Sequence, residues 1–256
     1  MNPHRPRKRF GQHFLHDAGV VARLLAAIRP EPDDHMVEIG PGEGALTAPL
    51  LARVHRLDAI EIDRDLAARL RAAHPSGRLA VHEADALRFD FASLPDDLRV
   101  VGNLPYNVST PLLFHLAGFA DRVRDMHFML QREVVERMVA QPSTRAYGRL
   151  SVALQTRFRL EMLFRVAPGA FRPPPKVESA VIRLVPLAPA ARAKVDFASL
   201  STLVAGAFSA RRKKLKNALA LDAAGFTALG LDPDLRPENL SPWDYVRVAQ
   251  YLAGRS

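Results

Sequence analysis

Short apolar runs bounded by turn residues recur along most of the chain, and between them apolar positions return at helical spacing. Runs near Met36 to Ile39, Leu57 to Ile62, Leu79 to His82, Arg99 to Val101, Met126 to Leu130, Leu160 to Val166 and Ser179 to Val185 predict seven strands of one sheet. Asp17 to Ile28 carries Val20, Val21, Leu24, Leu25 and Ile28 at helical spacing, and Leu46 to Val54 and Leu66 to Ala73 do the same. These segments predict crossover helices. Strands alternating with helices are the pattern of an α/β fold built on a mainly parallel sheet.

Past Val185 the texture changes, because Pro186 and Pro189 sit in an Ala-rich stretch and the chain beyond them has helical periodicity only. The expected division is an α/β domain over residues 1–188 and a small all-α domain over residues 189–256. Val204, Phe208, Leu215 and Leu219 share a helical face, yet an unbroken helix would place Arg211 on that apolar stripe. Ser209 is therefore expected to cap a new helix. Arg211 to Lys213 would then stand in its first turn, where cations oppose the helix dipole unless an anion such as phosphate sits there.

Composition narrows the class. With 256 residues, 48% hydrophobic and 25% charged, the chain can bury a sizeable core and is not a disordered tail. No run approaches the roughly 18 apolar residues of a membrane span, and the cationic start is not followed by a signal-type apolar stretch, so a soluble cytoplasmic protein is expected. Zero cysteines exclude a disulfide scaffold, a thiolate metal site and a Cys nucleophile. The net charge of +9 has an address: Arg5, Arg7, Lys8 and Arg9 lie in an acid-free start, and Arg211, Arg212, Lys213, Lys214 and Lys216 lie in an acid-free stretch near the other end. Those nine cations are the whole excess. Two basic patches on a balanced body are the footprint of a polyanion binder.

The first strand runs into Glu38-Ile39-Gly40-Pro41-Gly42-Glu43-Gly44-Ala45, a loop whose glycines let a ligand approach the backbone. Gly40, Gly42 and Ala45 fit the dinucleotide pattern, with Glu61 closing the second strand where an acid binds ribose hydroxyls, so a nicotinamide dehydrogenase is a fair rival. Glu38 before the glycines and Asp85 after the third strand extend the acid set, Asp85 as an acceptor for an adenine amino group. Acids after successive parallel strands share the carboxyl edge of the sheet, where such folds bind ligands. That layout points to S-adenosyl-L-methionine.

After the fourth strand comes Asn103-Leu104-Pro105-Tyr106. An adenine N6 is a poor nucleophile because its lone pair is conjugated with the ring. The Asn103 amide oxygen and the Leu104 carbonyl can accept the amine hydrogens and favour a pyramidal, nucleophilic nitrogen. Pro105 restricts Leu104 to extended backbone, and Tyr106 offers a face on which an extruded or single-stranded base stacks. The chemistry then rests on positioning and electrostatics rather than on a strong base.

Together these residues bring the chain to a known family: it resembles the ribosomal RNA small-subunit adenine dimethyltransferases. The likeness runs through Arg7 to Leu15, Val37 to Gly42, Asn103 to Pro111, Ala146 to Ser151, Phe171 to Val181 and Phe208 to Lys213. It implies a Rossmann-like class I S-adenosylmethionine methyltransferase fold and dimethylation of two adjacent adenosines in the 3'-terminal hairpin loop of 16S rRNA. The substrate implied is an immature small ribosomal subunit. By motif position, cofactor contacts fall on His13, Leu15, Gly40, Gly42, Glu61, Asp85 and Asn103, with Phe171 a second aromatic beside the target base. His13 departs from the family, which usually has Asn there. RNA contacts are expected from Arg7, Lys8, Arg9, Arg211, Arg212, Lys213, Lys214 and Lys216. His13 and His16 lack carboxylate or thiolate partners and make a poor metal site, so no metal is expected. A monomer is expected because the substrate surface must stay free. The rivals are a macrolide-resistance type of 23S rRNA adenine methyltransferase, a non-catalytic assembly or transcription factor on the same fold, and the dehydrogenase.

Overall fold

The computed structural model describes residues 12–75, 77–192 and 195–254. The basic segment Arg7, Lys8 and Arg9 lies outside the described residues. In chain order the elements are β1 (Phe14–Leu15), α1 (Ala18–Ile28), β2 (His35–Ile39), α2 (Thr47–Leu51), β3 (Leu57–Glu61), α3 (Arg64–Ala73), β4 (Leu79–Glu83), β5 (Leu98–Asn103), α4 (Ser109–Ala117) and β6 (Val123–Gln131). They continue with α5 (Arg132–Met138), α6 (Arg149–Gln155), β7 (Phe158–Val166), β8 (Phe171–Arg172), β9 (Ser179–Pro186), α7 (Phe197–Ser209), α8 (Leu215–Ala218), α9 (Ala223–Leu229) and α10 (Pro242–Ala253).

The chain divides into two compact units, Met1–Val135 with Glu161–Pro186, and Glu136–Leu160 with Leu187–Ser256. The second contains the stretch expected to form the all-α domain, residues 189–256, and also takes in Glu136–Leu160. The reason is packing: Tyr147 and Val152 share a core with Leu200, Val204, Leu215 and Tyr245. A composition break at the prolines marks where the chain enters that unit for good and says nothing of an earlier segment that packs with it.

In the first unit all seven expected strands form one sheet in the order β4-β3-β2-β5-β6-β9-β7. The pairs from β4 to β6 are parallel, and β9 runs antiparallel to β6. Met36, Val37, Val100, Val101, Phe128 and Met129 are almost wholly buried, as expected of strands covered on both faces. The chain winds from β2 out to β3 and β4, then returns to β5 on the other side of β2. Their carboxyl ends are thus the switch point where an open α/β sheet leaves a crevice. Gly102 in β5 permits the close pairing there, since a Cβ would lie 2.5 Å from the Ile39 carbonyl oxygen.

At the opposite edge Arg99 is buried and donates to both carboxylate oxygens of Asp125 at 2.9 Å and to Asp34 at 2.6 Å. It also reaches the carbonyls of Ile28 and Arg29, tying the end of α1 to β5 and β6. One small element was not expected from the sequence. β1 pairs antiparallel with β8, Phe14 opposite Arg172 and Leu15 opposite Phe171.

In the second unit the expected cap at Ser209 is corrected. Ser209 is the last residue of α7, its hydroxyl bonds back to the Gly206 carbonyl at 2.6 Å, and the next helix begins at Leu215. Ending α7 before Arg211 removes the cation from the apolar stripe. It also places Arg211 to Lys213 just past a helix C-terminus, where the dipole favours positive charge.

Candidate active site and cofactor cavity

The glycine loop leaves β2 with Gly40 N–H donating to the Ile60 carbonyl at 2.9 Å, and Gly40 and Gly42 adopt φ of 66° and 59°. At Gly42 the glycine serves two needs: left-handed backbone, and space, because a Cβ would stand 3.0 Å from the Phe14 ring. The loop, the exits of β3, β4 and β5, and the β1 segment enclose one cavity. Its lining includes the expected His13, Leu15, Gly40, Gly42, Glu61, Asp85, Asn103, Leu104, Pro105 and Tyr106.

The charge of this cavity is informative. Glu38, Glu61 and Asp85 line it, and among the described residues no Lys or Arg does. The Glu61 carboxylate accepts from Gly42 N–H at 3.1 Å and Asp63 N–H at 2.9 Å, bridging the glycine loop to the end of β3. Burial raises its pKa while those two N–H groups oppose the rise. Glu38 is more deeply buried and takes a 2.7 Å bond from the Thr47 hydroxyl. Burial pushes its carboxyl up to about 7, with Thr47 pulling down and Glu61 adding to the rise. Asp85 is half-buried, with Oδ1 accepting the Leu87 N–H at 3.0 Å. Ile62, 45% exposed, offers an apolar face beside these acids.

These residues fit S-adenosylmethionine. Acids without a cation suit a ligand bearing a sulfonium and an ammonium group and oppose a dinucleotide pyrophosphate, the glycine cradle admits a ligand against the backbone, and Ile62 suits a purine face.

Asn103 closes β5 with its side-chain Nδ2 donating to the His13 carbonyl at 2.8 Å. With the amide nitrogen so committed, Oδ1 accepts no hydrogen bond from another described residue, and neither does the Leu104 carbonyl. The Leu104 side chain is buried and its N–H donates to Met129 at 3.1 Å, fixing the peptide against β6. Tyr106 is held from two sides: its hydroxyl bonds Ser179 Oγ at 2.7 Å and its ring stacks on His13, centroids 5.5 Å apart and planes 29° apart. Burial raises the Tyr106 pKa, with Ser179 opposing, so its hydroxyl stays neutral. His13 Nδ1 donates to the Pro173 carbonyl at 2.7 Å, which anchors the β1 segment across the motif.

Phe171 is the correction among the site residues. It is 2% exposed, packs with Leu15, Val166 and Val181, and is not part of the cavity lining. Its strand pairing with Leu15 turns the ring into the core, where it supports the β1 segment. Sequence reasoning missed Gln12, Phe14, Ile62 and Leu87 in the lining and Thr47 and Ser179 behind it. Ile62 carried a usable signal, an apolar residue directly after a strand-ending acid. Ser179 lies within the Phe171 to Val181 stretch of the likeness, but nothing local tied it to Tyr106, 73 residues away.

The basic residues of the helical unit divide by environment. Arg211 Nε donates to Glu238 at 2.6 Å and its Nη2 to the carbonyls of Thr144 and Arg145 at 3.2 and 3.1 Å. Lys214 and Lys216 both pair with Asp234, at 3.2 and 2.8 Å. The side chains of Arg212 and Lys213 are exposed and pair with no described residue.

The chain matches the family described as ribosomal RNA adenine dimethylase over residues 3–254. It is 59% identical over 254 residues to the ribosomal RNA small subunit methyltransferase A of Thiobacillus denitrificans, covering 98% of this chain and all of that one. Identity to the protein of that name from Chromobacterium violaceum is 57% over 255 residues, covering 98% and 97%. Among solved structures, a dimethyladenosine transferase from Plasmodium falciparum superposes with a TM-score of 0.80 at 24% identity, covering 95% of this chain and 98% of that one, a likeness of fold. The 23S rRNA methyltransferase ErmE gives 0.70 at 25% identity, covering 94% and 99%. An acid-lined cradle at the switch point, an oriented Asn103 and a match along nearly the whole chain agree: the chain belongs to the ribosomal RNA adenine dimethylase family.

Proposed function

We propose that this protein transfers methyl groups from S-adenosylmethionine to N6 of two adjacent adenosines in the 3'-terminal hairpin loop of 16S rRNA, two per base, within the immature small ribosomal subunit. The observation that carries the reading is the Asn103 amide, pinned through Nδ2 to the His13 carbonyl so that Oδ1, with the Leu104 carbonyl, is left as an acceptor beside a cation-free, acid-lined cavity. The names of the relatives from Thiobacillus denitrificans and Chromobacterium violaceum support the substrate.

His13, Leu15, Gly40, Gly42, Glu61 and Asp85 hold the cofactor, which supplies an electrophilic methyl on a positively charged sulfur. Asn103 Oδ1 and the Leu104 carbonyl accept the two N6 hydrogens, draw the nitrogen toward a pyramidal form and stabilise positive charge as it arrives there. Pro105 keeps Leu104 extended, and Tyr106 supports the base by stacking. The proton lost from N6 needs no strong base, because the methylated nitrogen is acidic while positively charged.

The helical unit and the basic start bind rRNA backbone through Arg7, Lys8, Arg9, Arg212 and Lys213. The protein works as a metal-free monomer in the cytoplasm. Among the described residues no helix is long and apolar enough to cross a membrane, and no group of His, Asp and Glu could hold a metal ion.

The test is methyl transfer from labelled cofactor to undermethylated small subunits, with 23S rRNA in parallel. Label in 16S rRNA alone is expected. Label in 23S rRNA alone would assign the protein to the resistance-type relatives, and cofactor binding without transfer would leave a binding factor.

A further inference from the structure

We infer that Arg211 is a positioning residue of the RNA-docking face, not a phosphate contact, and that Arg145, remote in sequence, belongs to that face. The inference rests on the rRNA-binding reading above. Three segments of the helical unit meet at the Arg211 guanidinium. Its Nε donates to Glu238, and its Nη2 donates to the backbone carbonyls of Thr144 and Arg145. The Glu238 segment is tied independently to the same loop, as Ser143 N–H donates to the Glu238 carbonyl at 2.7 Å and Asn239 Nδ2 to Ser143 Oγ at 3.1 Å. Behind the junction Tyr147 packs edge-on against Phe208, and the Tyr147 hydroxyl donates to the Leu240 carbonyl at 2.8 Å. The loop that carries Arg145 and the turn that carries Arg212 and Lys213 are thus brought side by side.

A guanidinium with Nε on a carboxylate and Nη2 on two carbonyls has committed three of its five N–H donors and paired its charge internally. The Arg211 side chain is 36% exposed, whereas Arg145, Arg212 and Lys213 are exposed and their side chains pair with no described residue. Free cations on adjoining segments present a compact positive face to the backbone phosphates of a folded RNA, and Arg211 sets their spacing.

The test uses the full-length protein, undermethylated small subunits and binding measured against salt concentration. Arg145→Ala, Arg212→Ala and Lys213→Ala each lower affinity several-fold and reduce the slope of log affinity against log salt by about 0.7 to 0.9. Glu238→Gln discriminates by sign. Removing a negative charge from a face that contacts RNA strengthens binding if Arg211 grips phosphate, but weakens it about three- to tenfold if Arg211 is a bridge. Arg211→Lys keeps the charge and loses the fork, so it behaves like Arg211→Ala under the bridge reading. Thermal melting of each variant identifies any that fails to fold. Tighter binding by Glu238→Gln with near-normal binding by Arg211→Lys overturns the inference. If instead the unaltered protein binds no small subunits, the rRNA reading itself fails.

Discussion

The Asn103 side-chain amide donates to the His13 backbone carbonyl at 2.8 Å, so the residue at the end of β5 is oriented by a segment ninety positions earlier in the chain. This bond decides which end of the amide is left for the substrate. Asn103→Ala removes the acceptor and lowers methylation by about 10²-fold or more, as loss of a single oriented polar group at a charge-developing centre does. Cofactor affinity, read by calorimetry, falls far less than turnover. Substantial residual turnover would contradict the role.

Ser179 and Tyr106 share a 2.7 Å hydrogen bond, and Ser179 is fully buried at the start of β9. Ser179→Ala frees the Tyr106 ring and lowers turnover about three- to tenfold, the scale of one hydrogen bond. Ser179→Thr keeps the hydroxyl and restores much of the rate. In a Tyr106→Phe background the Ser179→Ala change adds nothing, since the bond is already gone. Additive losses in that double-mutant cycle would show that Ser179 acts elsewhere.

Much of this architecture was legible in the chain, and the parts that were not share a cause. Met36 to Ile39 and Met126 to Leu130 announce buried strands because an apolar run is a local property, and Glu61, Asp85 and Asn103 were found because each ends such a run or stands within two residues of a strand end. The β1 and β8 pairing, the Ser179 bond and the Arg211 junction depend on residues far apart in sequence, which no local pattern reports. Phe171 shows the limit most plainly. Its motif placed it near the site, but the register opposite Leu15 decided that its ring faces the core. Ser209 failed for a simpler reason, since a serine can end a helix by bonding back to its last turn as well as start one.

Arg99 is the largest feature that gave no sequence signal. Its buried guanidinium satisfies Asp125 and Asp34 together with two helix-end carbonyls. Arg99→Leu leaves Asp34 with Arg124 and Asp125 with only the longer Arg183 contact at 3.7 Å, and costs about 3 kcal/mol in urea unfolding, the low end of breaking a buried pair. A loss below about 1 kcal/mol, the range of an exposed pair, would contradict this.

Glu38 makes stability depend on pH in the direction opposite to a salt-bridged acid. Burial pushes its carboxyl up to about 7 from an ordinary 4.5, so the folded protein keeps this proton over a range where the unfolded chain releases it. Its contribution is therefore fully present below about 4.5, declines as pH rises toward 7, and is lost above that. The decline is on the order of 3 kcal/mol. Glu38→Gln removes it, so the stability difference between variant and unaltered protein grows in the variant's favour from pH 5 to pH 8. Parallel profiles would remove Glu38 as the source.

The central claim is that Asn103, Leu104 and the acid-lined cavity serve N6 dimethylation of small-subunit rRNA. Nucleoside mass spectrometry of undermethylated small subunits, incubated with the protein and S-adenosylmethionine, tests it most directly. The account predicts two N6,N6-dimethyladenosines per 16S rRNA and none when Asn103→Ala replaces the unaltered protein. Unmodified adenosine despite cofactor binding, or equal product from the Asn103→Ala variant, would contradict it.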